Sequence, residues 1–308
     1  MAEKSKLTPV MQQYVDMKAE NPDALLMFRL GDFYESFFED AKTISATLGL
    51  VLTARGTDGD GNSIPMCGIP WHAADNYFGR LVRSGYKVAL VEQMETPTQA
   101  KERGHKFIDR QVVRVLTPGT LTDDNLLTPK KSNFLIAITP IGGGKYDIAG
   151  CDISTGEFFI GQTGELFDDM TRINPAEIIY PFGCAEEKTI AHLRDVFKTT
   201  PVYEKLYHRS DIDVVVSRVF GGVVDVHSVT RISDNAICLL AGYLFNTQRG
   251  APITFRAPYT FKSGRQLLID SATWRSLEID ASINDGGACL IDVLDETKTA
   301  AGARKMRA

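Results

Sequence analysis

The sequence predicts a mixed α/β protein that contains more than one domain. Strand-like and helix-like segments alternate up to about residue 258, with apolar residues repeating every two positions or every 3.6 positions. The chain has 308 residues, whereas a single hydrophobic core usually stops growing by about 250 to 300 residues. The pattern after residue 270 is helical. We therefore expect two α/β domains followed by a helical segment.

The first α/β domain is predicted over residues 1–118. Thr8-Pro9 is typical of a helix start, because Thr caps the first turn and Pro is tolerated at the first helical position. Asn21-Pro22 ends that helix. The other expected elements are a strand over 24–30, a helix from Asp32 to Leu48, a strand over 50–53, an exposed turn over 58–62, a helix over 72–84, and strands over 86–91 and 111–116.

A second α/β domain is predicted over residues 131–258, after a linker over 119–130. It begins with three strands joined by short glycine-rich turns, which indicate a meander. These strands are expected over 133–139, 146–153 and 157–161. The helical segment over 266–308 is too short to bury a core of its own, so we expect the chain to be cut inside a third domain.

Composition argues against several classes of protein. The sequence is 44% hydrophobic and 24% charged, as expected for a globular protein. Its longest apolar run, over 236–245, falls short of the roughly 20 residues of a membrane span. The N-terminus lacks the apolar segment of a signal peptide, so we expect a cytoplasmic location and no membrane partner. The five cysteines form no Cys-x-x-Cys pair, which favours buried, reduced thiols.

The net charge of −5 argues against nucleic-acid binding through an overall positive field. Any such binding has to come from local basic patches. The strongest patch, over 101–114, holds five Lys or Arg residues and two acidic residues. Taken alone, this segment is interpreted as a solvated loop.

No catalytic, metal or cofactor motif is expected in these residues. The segment 142–145, Gly-Gly-Gly-Lys, has the wrong spacing for a phosphate-binding loop, and the turn at 58–62 lacks the glycine and glutamate of a calcium loop. Asp147, Asp152 and Glu157 could supply carboxylates for two-metal nuclease chemistry. Asp147 and Asp152, five positions apart on one strand, should lie on opposite faces, which favours turn and edge positions instead. We therefore predict that this chain is not an enzyme.

Phe33-Tyr34-Glu35 is the most informative tripeptide, and its local sequence leaves two interpretations open. Asp32 and Glu35 could form a variant capping box while Phe33 packs on Phe37 one turn away. Alternatively, because Phe33 follows the turn at Gly31, its ring could project from the surface and wedge into a nucleic-acid stack.

Several blocks stand in a fixed order and spacing: Arg29-Leu30-Gly31-Asp32-Phe33-Tyr34-Glu35, Ile64-Pro65-Met66-Cys67-Gly68-Ile69-Pro70-Trp71-His72-Ala73, and residues 8–14, 88–93 and 112–120. Together they resemble the amino-terminal part of the MutS family of DNA mismatch recognition proteins. A weaker likeness continues through 272–279 and 282–287. A departure occurs at 299–302, Thr-Ala-Ala-Gly, where the family usually has Thr-Pro-x-Gly.

The resemblance implies a mixed-sheet mismatch-binding domain over 1–118, a ribonuclease H-like connector domain without catalysis over 131–258, and the first helices of a truncated α-helical core domain over 266–308. It also implies that Phe33 enters the minor groove and stacks on a mispaired base while Glu35 bonds that base. Further backbone or groove contacts are expected from Arg55, Met66, Arg110, Lys106 and Arg114.

The partners that the resemblance implies are mismatched duplex DNA, a MutL-type repair protein that contacts the connector, and a second copy in a homodimer. ATP and Mg bind a domain of the family that these residues do not include, so no cofactor is expected here. The alternative is a connector-type interaction module that contacts MutL without binding mismatches on its own.

Overall fold

The computed structural model describes residues 7–58, 60–104, 107–123, 126–221, 234–249, 251–262, 269–284 and 286–307. The chain divides into two compact units, the first formed by 1–118 with 247–249 and the second by 119–246 with 250–308. Each unit contains one six-stranded mixed sheet, which confirms the α/β class. In the described ranges, every helix is too short or too polar to cross a membrane.

The first unit is built on a sheet with the strand order β3-β4-β2-β1-β5-β6. Only β1 and β5 run parallel; the other neighbours are antiparallel. Its elements are α1 (Pro9–Glu20), β1 (Ala24–Leu30), β2 (Phe33–Phe37), α2 (Phe38–Leu48), β3 (Thr53–Thr57), β4 (Ser63–Pro70), α3 (Ala74–Arg83), β5 (Lys87–Gln93), α4 (Pro97–Glu102) and β6 (Arg110–Leu116).

Helices cover both faces of this sheet. The predicted start of α1 is confirmed, because the Thr8 side chain accepts a hydrogen bond from the Met11 amide at 3.3 Å. On one face, the ring centroid of Tyr14 in α1 lies 5.2 Å from the ring centroid of Phe37. On the other face, Phe78 of α3 packs edge-on against Tyr34 at 5.1 Å. Strand β2 is thus packed on both of its faces.

The helix predicted from Asp32 is wrong for residues 33–37, which form strand β2. Gly31, with φ of +63°, makes the turn between β1 and β2, and the backbone then pairs with β1 on one side and β4 on the other. The helix begins only at Phe38. The spacing of the apolar residues here fits both the 3.6-residue period of a helix and the two-residue period of a strand. Backbone pairing with two neighbouring strands decides in favour of the strand.

Three further local predictions need correction. The strand expected over 50–53 lies instead at Thr53–Thr57, and β4 was not predicted at all. The basic segment expected to be a loop begins inside helix α4, which a capping box at Thr96 and Gln99 starts. The Thr-x-x-Gln spacing was the available signal for this helix.

The second unit has the strand order β11-β10-β7-β8-β9-β12. Strands β7, β8 and β9 form the predicted antiparallel meander, while β10, β11 and β12 join in parallel. Its elements are β7 (Leu135–Gly142), β8 (Lys145–Asp152), β9 (Glu157–Thr163), α5 (Leu166–Ile173), β10 (Glu177–Pro181), α6 (Lys188–Val196), β11 (Thr199–Val202), α7 (Ile212–Phe220), α8 (Asp234–Gln248), β12 (Tyr259–Lys262), α9 (Ser271–Ser276), α10 (Leu290–Leu294) and α11 (Ala300–Arg307).

Apolar clusters lie on both faces of the second sheet, one including residues of α7 and α8 and the other residues of α5 and α6. Glu177 is buried inside the unit, where it accepts hydrogen bonds from the Gly119 amide (3.0 Å), Thr200 (2.7 Å) and Tyr243 (2.8 Å). These donors satisfy a charge that would otherwise be costly to bury. The ribonuclease H-like assignment and the separate helical core remain predictions.

Candidate nucleic-acid interface

An exposed aromatic ring stands at one end of the first sheet. Phe33 is the first residue of β2, directly after the turn at Gly31, and it pairs with Leu30 of β1 and Pro70 of β4. Its side chain is 46% exposed, whereas Phe37 at the other end of β2 is fully buried. The expectation that the ring projects from the surface holds, although it projects from a strand and not from a helix.

The alternation of β2 places Phe33 and Glu35 on the same face of the sheet and Tyr34 on the opposite face. Tyr34 is buried, and its hydroxyl donates a hydrogen bond to Glu92 of β5. Burial and this hydrogen bond raise the pKa of Tyr34. Phe33 and Glu35 are therefore carried by a strand that is anchored through its other face.

The turn before Phe33 is tied to the end of β4. The Trp71 amide donates to the Asp32 carbonyl at 2.8 Å, directly after the Phe33–Pro70 pair of the ladder. The backbone on both sides of Phe33 is thus hydrogen bonded. This limits the conformational freedom that the ring would lose on binding a ligand.

Glu35 forms an ion pair with Arg55 of β3. Strand β4 lies between β2 and β3, and its residue opposite Glu35 is Gly68, so no side chain stands there. The Glu35 side chain is 14% exposed and that of Arg55 is 50% exposed. The carboxylate is therefore largely covered while the guanidinium faces solvent.

Met66 lies on β4 opposite Phe37 on one side and Thr53 on the other. Its side chain is partly buried against the apolar cluster beneath α1, and its sulfur lies 3.7 Å from the Thr53 hydroxyl. Three adjacent strands thus supply this group of residues: β2 carries Phe33 and Glu35, β4 carries Met66, and β3 carries Arg55.

Arg110 does not join this group. It lies at the start of β6, the opposite edge strand, and is only 5% exposed. Its guanidinium donates to the Arg29 carbonyl (3.1 Å), to Gln13 (3.2 Å) and to the Ile108 carbonyl (3.1 Å). It also lies 5.2 Å from the centroid of the Phe28 ring. The side chain donates to acceptors within the protein, which argues against the expected contact with DNA.

Arg114 also lies on β6, where it pairs with Leu90 and is half-buried. Four strands separate β6 from β3, so Arg114 and Arg55 stand at opposite edges of the sheet. Lys106 falls outside the described residues. The residues predicted to contact DNA therefore do not all lie side by side on one part of the sheet.

A second aromatic group at this end of the sheet was not predicted. The guanidinium of Arg29 lies 4.8 Å from the centroid of the exposed Trp71 ring and 5.5 Å from that of Tyr34. Arg29 pairs with Tyr34 in the ladder, so this group lies on the face opposite Phe33. The available signal was a Trp next to Pro70 in a block already singled out by resemblance.

The carboxylates considered for nuclease chemistry serve the second unit internally. Asp152 is buried and accepts hydrogen bonds from the amides of Asn133 and Ser154, both at 2.9 Å. Asp147 accepts one from Gln162 at 2.8 Å. Among the residues that the structure describes, no group of three His, Cys, Asp or Glu side chains is placed to hold a metal ion.

Comparison with known proteins gives two family matches and close relatives. A family model described as MutS domain I matches residues 8–125, and one described as MutS domain II matches residues 133–252. The DNA mismatch repair protein MutS of Rhizobium meliloti (strain 1021) is 40% identical over 314 residues, which cover 98% of this chain and 34% of that protein. The protein of the same name from Nitrobacter hamburgensis is 38% identical over 313 residues, with the same coverage of each chain. The chain thus spans about a third of the length of these curated relatives.

Proposed function

The chain belongs to the MutS family, and from this premise we propose that its first unit recognises mispaired or unpaired bases in duplex DNA for mismatch repair. The observation that carries the proposal is the exposed ring of Phe33 at the end of β2, with Glu35 two residues along on the same face. The role in repair is the one that the names of the relatives state for those proteins.

Phe33 supplies the wedge in this proposal. Stacking of an aromatic ring on a base contributes about 1–3 kcal/mol. A mispaired step costs less to unstack and kink than a paired step, so the same contribution holds the kink only where pairing has already failed. The ring therefore senses how easily the duplex deforms, and it reads no particular base.

Glu35 supplies discrimination. A carboxylate close to phosphates is unfavourable, and it is tolerated only where a mispaired base offers a hydrogen-bond donor in return. Its position on the face that carries Phe33 supports this role, because a base stacked on the ring would then lie on the side of the sheet that carries the carboxylate. Glu35 thus mainly lowers the affinity for correctly paired DNA.

The surrounding contacts are proposed in two groups. Arg55 and Met66 lie on the strands next to β2 and are proposed to meet the backbone or groove beside the wedge. Arg114, at the opposite edge of the sheet, and Lys106 are proposed to contact the DNA backbone away from the residues around Phe33. Because the net charge is −5, such local groups have to supply the attraction to DNA.

The remaining assignments extend the same proposal. Residues 131–258 are proposed to act as a connector that contacts a MutL-type partner, and a homodimer is proposed for the longer protein. ATP and Mg are proposed to act on a part of such a protein outside these residues. We propose that the present residues change no covalent bond in DNA and that the protein acts in the cytoplasm.

The test compares binding of the 308-residue chain to two labelled duplexes that differ only in one mispair, by fluorescence anisotropy at fixed low salt. The chain should prefer the mispaired duplex, Phe33→Ala should abolish the preference, and Glu35→Ala should raise binding to the paired duplex. Phe182→Ala is the matched control, because Phe182 is similarly exposed (48%) and lies in the second unit. It should leave the preference unchanged.

Equal binding of both duplexes by the unaltered chain would contradict the proposal. So would a preference that survives both Phe33→Ala and Glu35→Ala. The interaction-module alternative predicts the first of these outcomes together with capture of a MutL-type protein by residues 131–258.

A further inference from the structure

The ion pair between Glu35 and Arg55 joins residues that are 20 positions apart in sequence and two strands apart in the sheet. The guanidinium reaches Glu35 past Gly68, the residue of β4 that faces Glu35. Within the described part of the chain, the carboxylate of Glu35 is the hydrogen-bond partner of Arg55.

The two partners differ in their access to solvent. The Glu35 side chain is 14% exposed and the Arg55 side chain is 50% exposed. A largely covered carboxylate is poorly screened by water, so its charge acts strongly on nearby groups. Because Glu35 stands on the Phe33 face, a ring inserted into a duplex would bring this charge toward the DNA phosphates.

We propose that Arg55 is the counter-ion of Glu35 during DNA binding, an inference that rests on the proposed function. The pair carries no net charge, so the Glu35 oxygens approach the duplex without the full repulsion of a bare anion. One carboxylate oxygen of Glu35 accepts from Arg55; a carboxylate has further acceptor sites for a donor on a mispaired base.

A phosphate contact by Arg55 that did not depend on its pairing with Glu35 would have a different consequence. Such a contact contributes independently of Glu35, whereas a counter-ion matters only while the carboxylate is charged. A double-mutant cycle separates these cases, because residues that interact have non-additive effects and independent residues have additive ones.

The experiment measures the Kd of the 308-residue chain for mispaired and paired duplexes in four forms: unaltered, Arg55→Met, Glu35→Gln, and both changes together. Arg55→Met should weaken binding about tenfold when Glu35 is present. It should weaken binding less than about twofold in the Glu35→Gln background. An equal effect of Arg55→Met in both backgrounds would overturn the proposal and identify Arg55 as an independent contact.

Arg103 and Glu95 provide the matched control within the same unit. They form an ion pair with similar exposure, 55% for the arginine and 7% for the glutamate. The same cycle with Arg103→Met and Glu95→Gln should show no coupling in DNA binding. Coupling of equal size there would show that the effect is not specific to the Phe33 face, and would also overturn the proposal.

A DNA-free measurement keeps the inference testable if binding is weak. The guanidinium NMR signals of Arg55 should show restricted rotation in the unaltered chain and free averaging in Glu35→Gln. Identical signals in both would overturn the counter-ion role. If the preference for mispaired duplex survives both Phe33→Ala and Glu35→Ala, the proposed function fails. If Phe33→Ala abolishes the preference while the cycle is additive, only the counter-ion inference fails.

Discussion

Gly68 lies next to both Phe33 and Glu35: a Cβ atom added to Gly68 would lie 3.7 Å from Cδ1 of Phe33 and 3.7 Å from Cγ of Glu35. That separation is ordinary van der Waals contact, so a single methyl group fits at Gly68. Larger side chains would have to displace the ring or the carboxylate.

We therefore expect Gly68→Val to lower the preference for mispaired duplex, since its extra methyl groups push Phe33 out of its position above the strand. The expected loss is up to about tenfold in the ratio of the two Kd values, within the stacking contribution of the ring. Gly68→Ala is the control and should change the ratio less than about twofold, because its Cβ meets only ordinary contacts. Unchanged discrimination in Gly68→Val would show that Gly68 does not set the position of the ring.

Arg110→Met should destabilise the first unit without removing a phosphate contact. The change leaves the Arg29 carbonyl without its buried donor, and we expect a loss of about 1–3 kcal/mol in the free energy of unfolding. The slope of log Kd against log salt concentration should stay the same, whereas loss of a phosphate contact lowers it by about one. Lys42→Met, which removes an ion pair with Glu39 that is exposed on both sides, is the stability control. A changed slope with normal stability would restore Arg110 as a DNA contact.

Tyr14→Phe should weaken the packing of α1 on the sheet. The buried hydroxyl of Tyr14 bonds Ser36 (3.2 Å), the Phe37 carbonyl (3.2 Å) and Asp40 (3.1 Å). Its removal should lower the free energy of unfolding of the first unit by about 1–3 kcal/mol. Because two units need not unfold together, hydrogen exchange of amides in β1 and β2 is the appropriate measurement. Tyr203→Phe, at an exposed tyrosine of the second unit, should leave these amides unchanged.

The buried thiols should react slowly and with a steep dependence on pH. Burial raises the pKa of Cys67 to about 11 and raises the pKa of Cys151 further. Since only the thiolate attacks a disulfide reagent, modification of Cys67 should remain slow at pH 8 and accelerate as the pH rises toward 11. Peptide mapping after reaction with a thiol reagent should find Cys184 and Cys238, which are less buried, labelled before Cys67. Labelling of Cys67 at the rate of a denatured control would contradict its burial.

Several features followed from the sequence because they depend on neighbours along the chain. The Thr8 cap of α1, strand β1, and the meander of β7, β8 and β9 were all predicted from local signals. The resemblance to MutS came from blocks of contiguous residues, and the family matches confirm it.

Other features could not be decided locally. The residues 33–37 suit a helix by their apolar spacing, and they became a strand because residues 63–70 pair beside them. That pairing depends on a segment some thirty positions away, whose own strand character was missed. The burial of Arg110 depends in the same way on acceptors from α1 and β1.

The sequence by itself determined the α/β class, the family, and the tripeptide in which an aromatic ring precedes a carboxylate. Only the tertiary structure decided that Glu35 is paired with Arg55 and that Gly68 lies next to Phe33 and Glu35. The physical reason is that local sequence sets backbone preference and side-chain alternation, whereas the order of strands in a sheet decides which distant charges and surfaces meet.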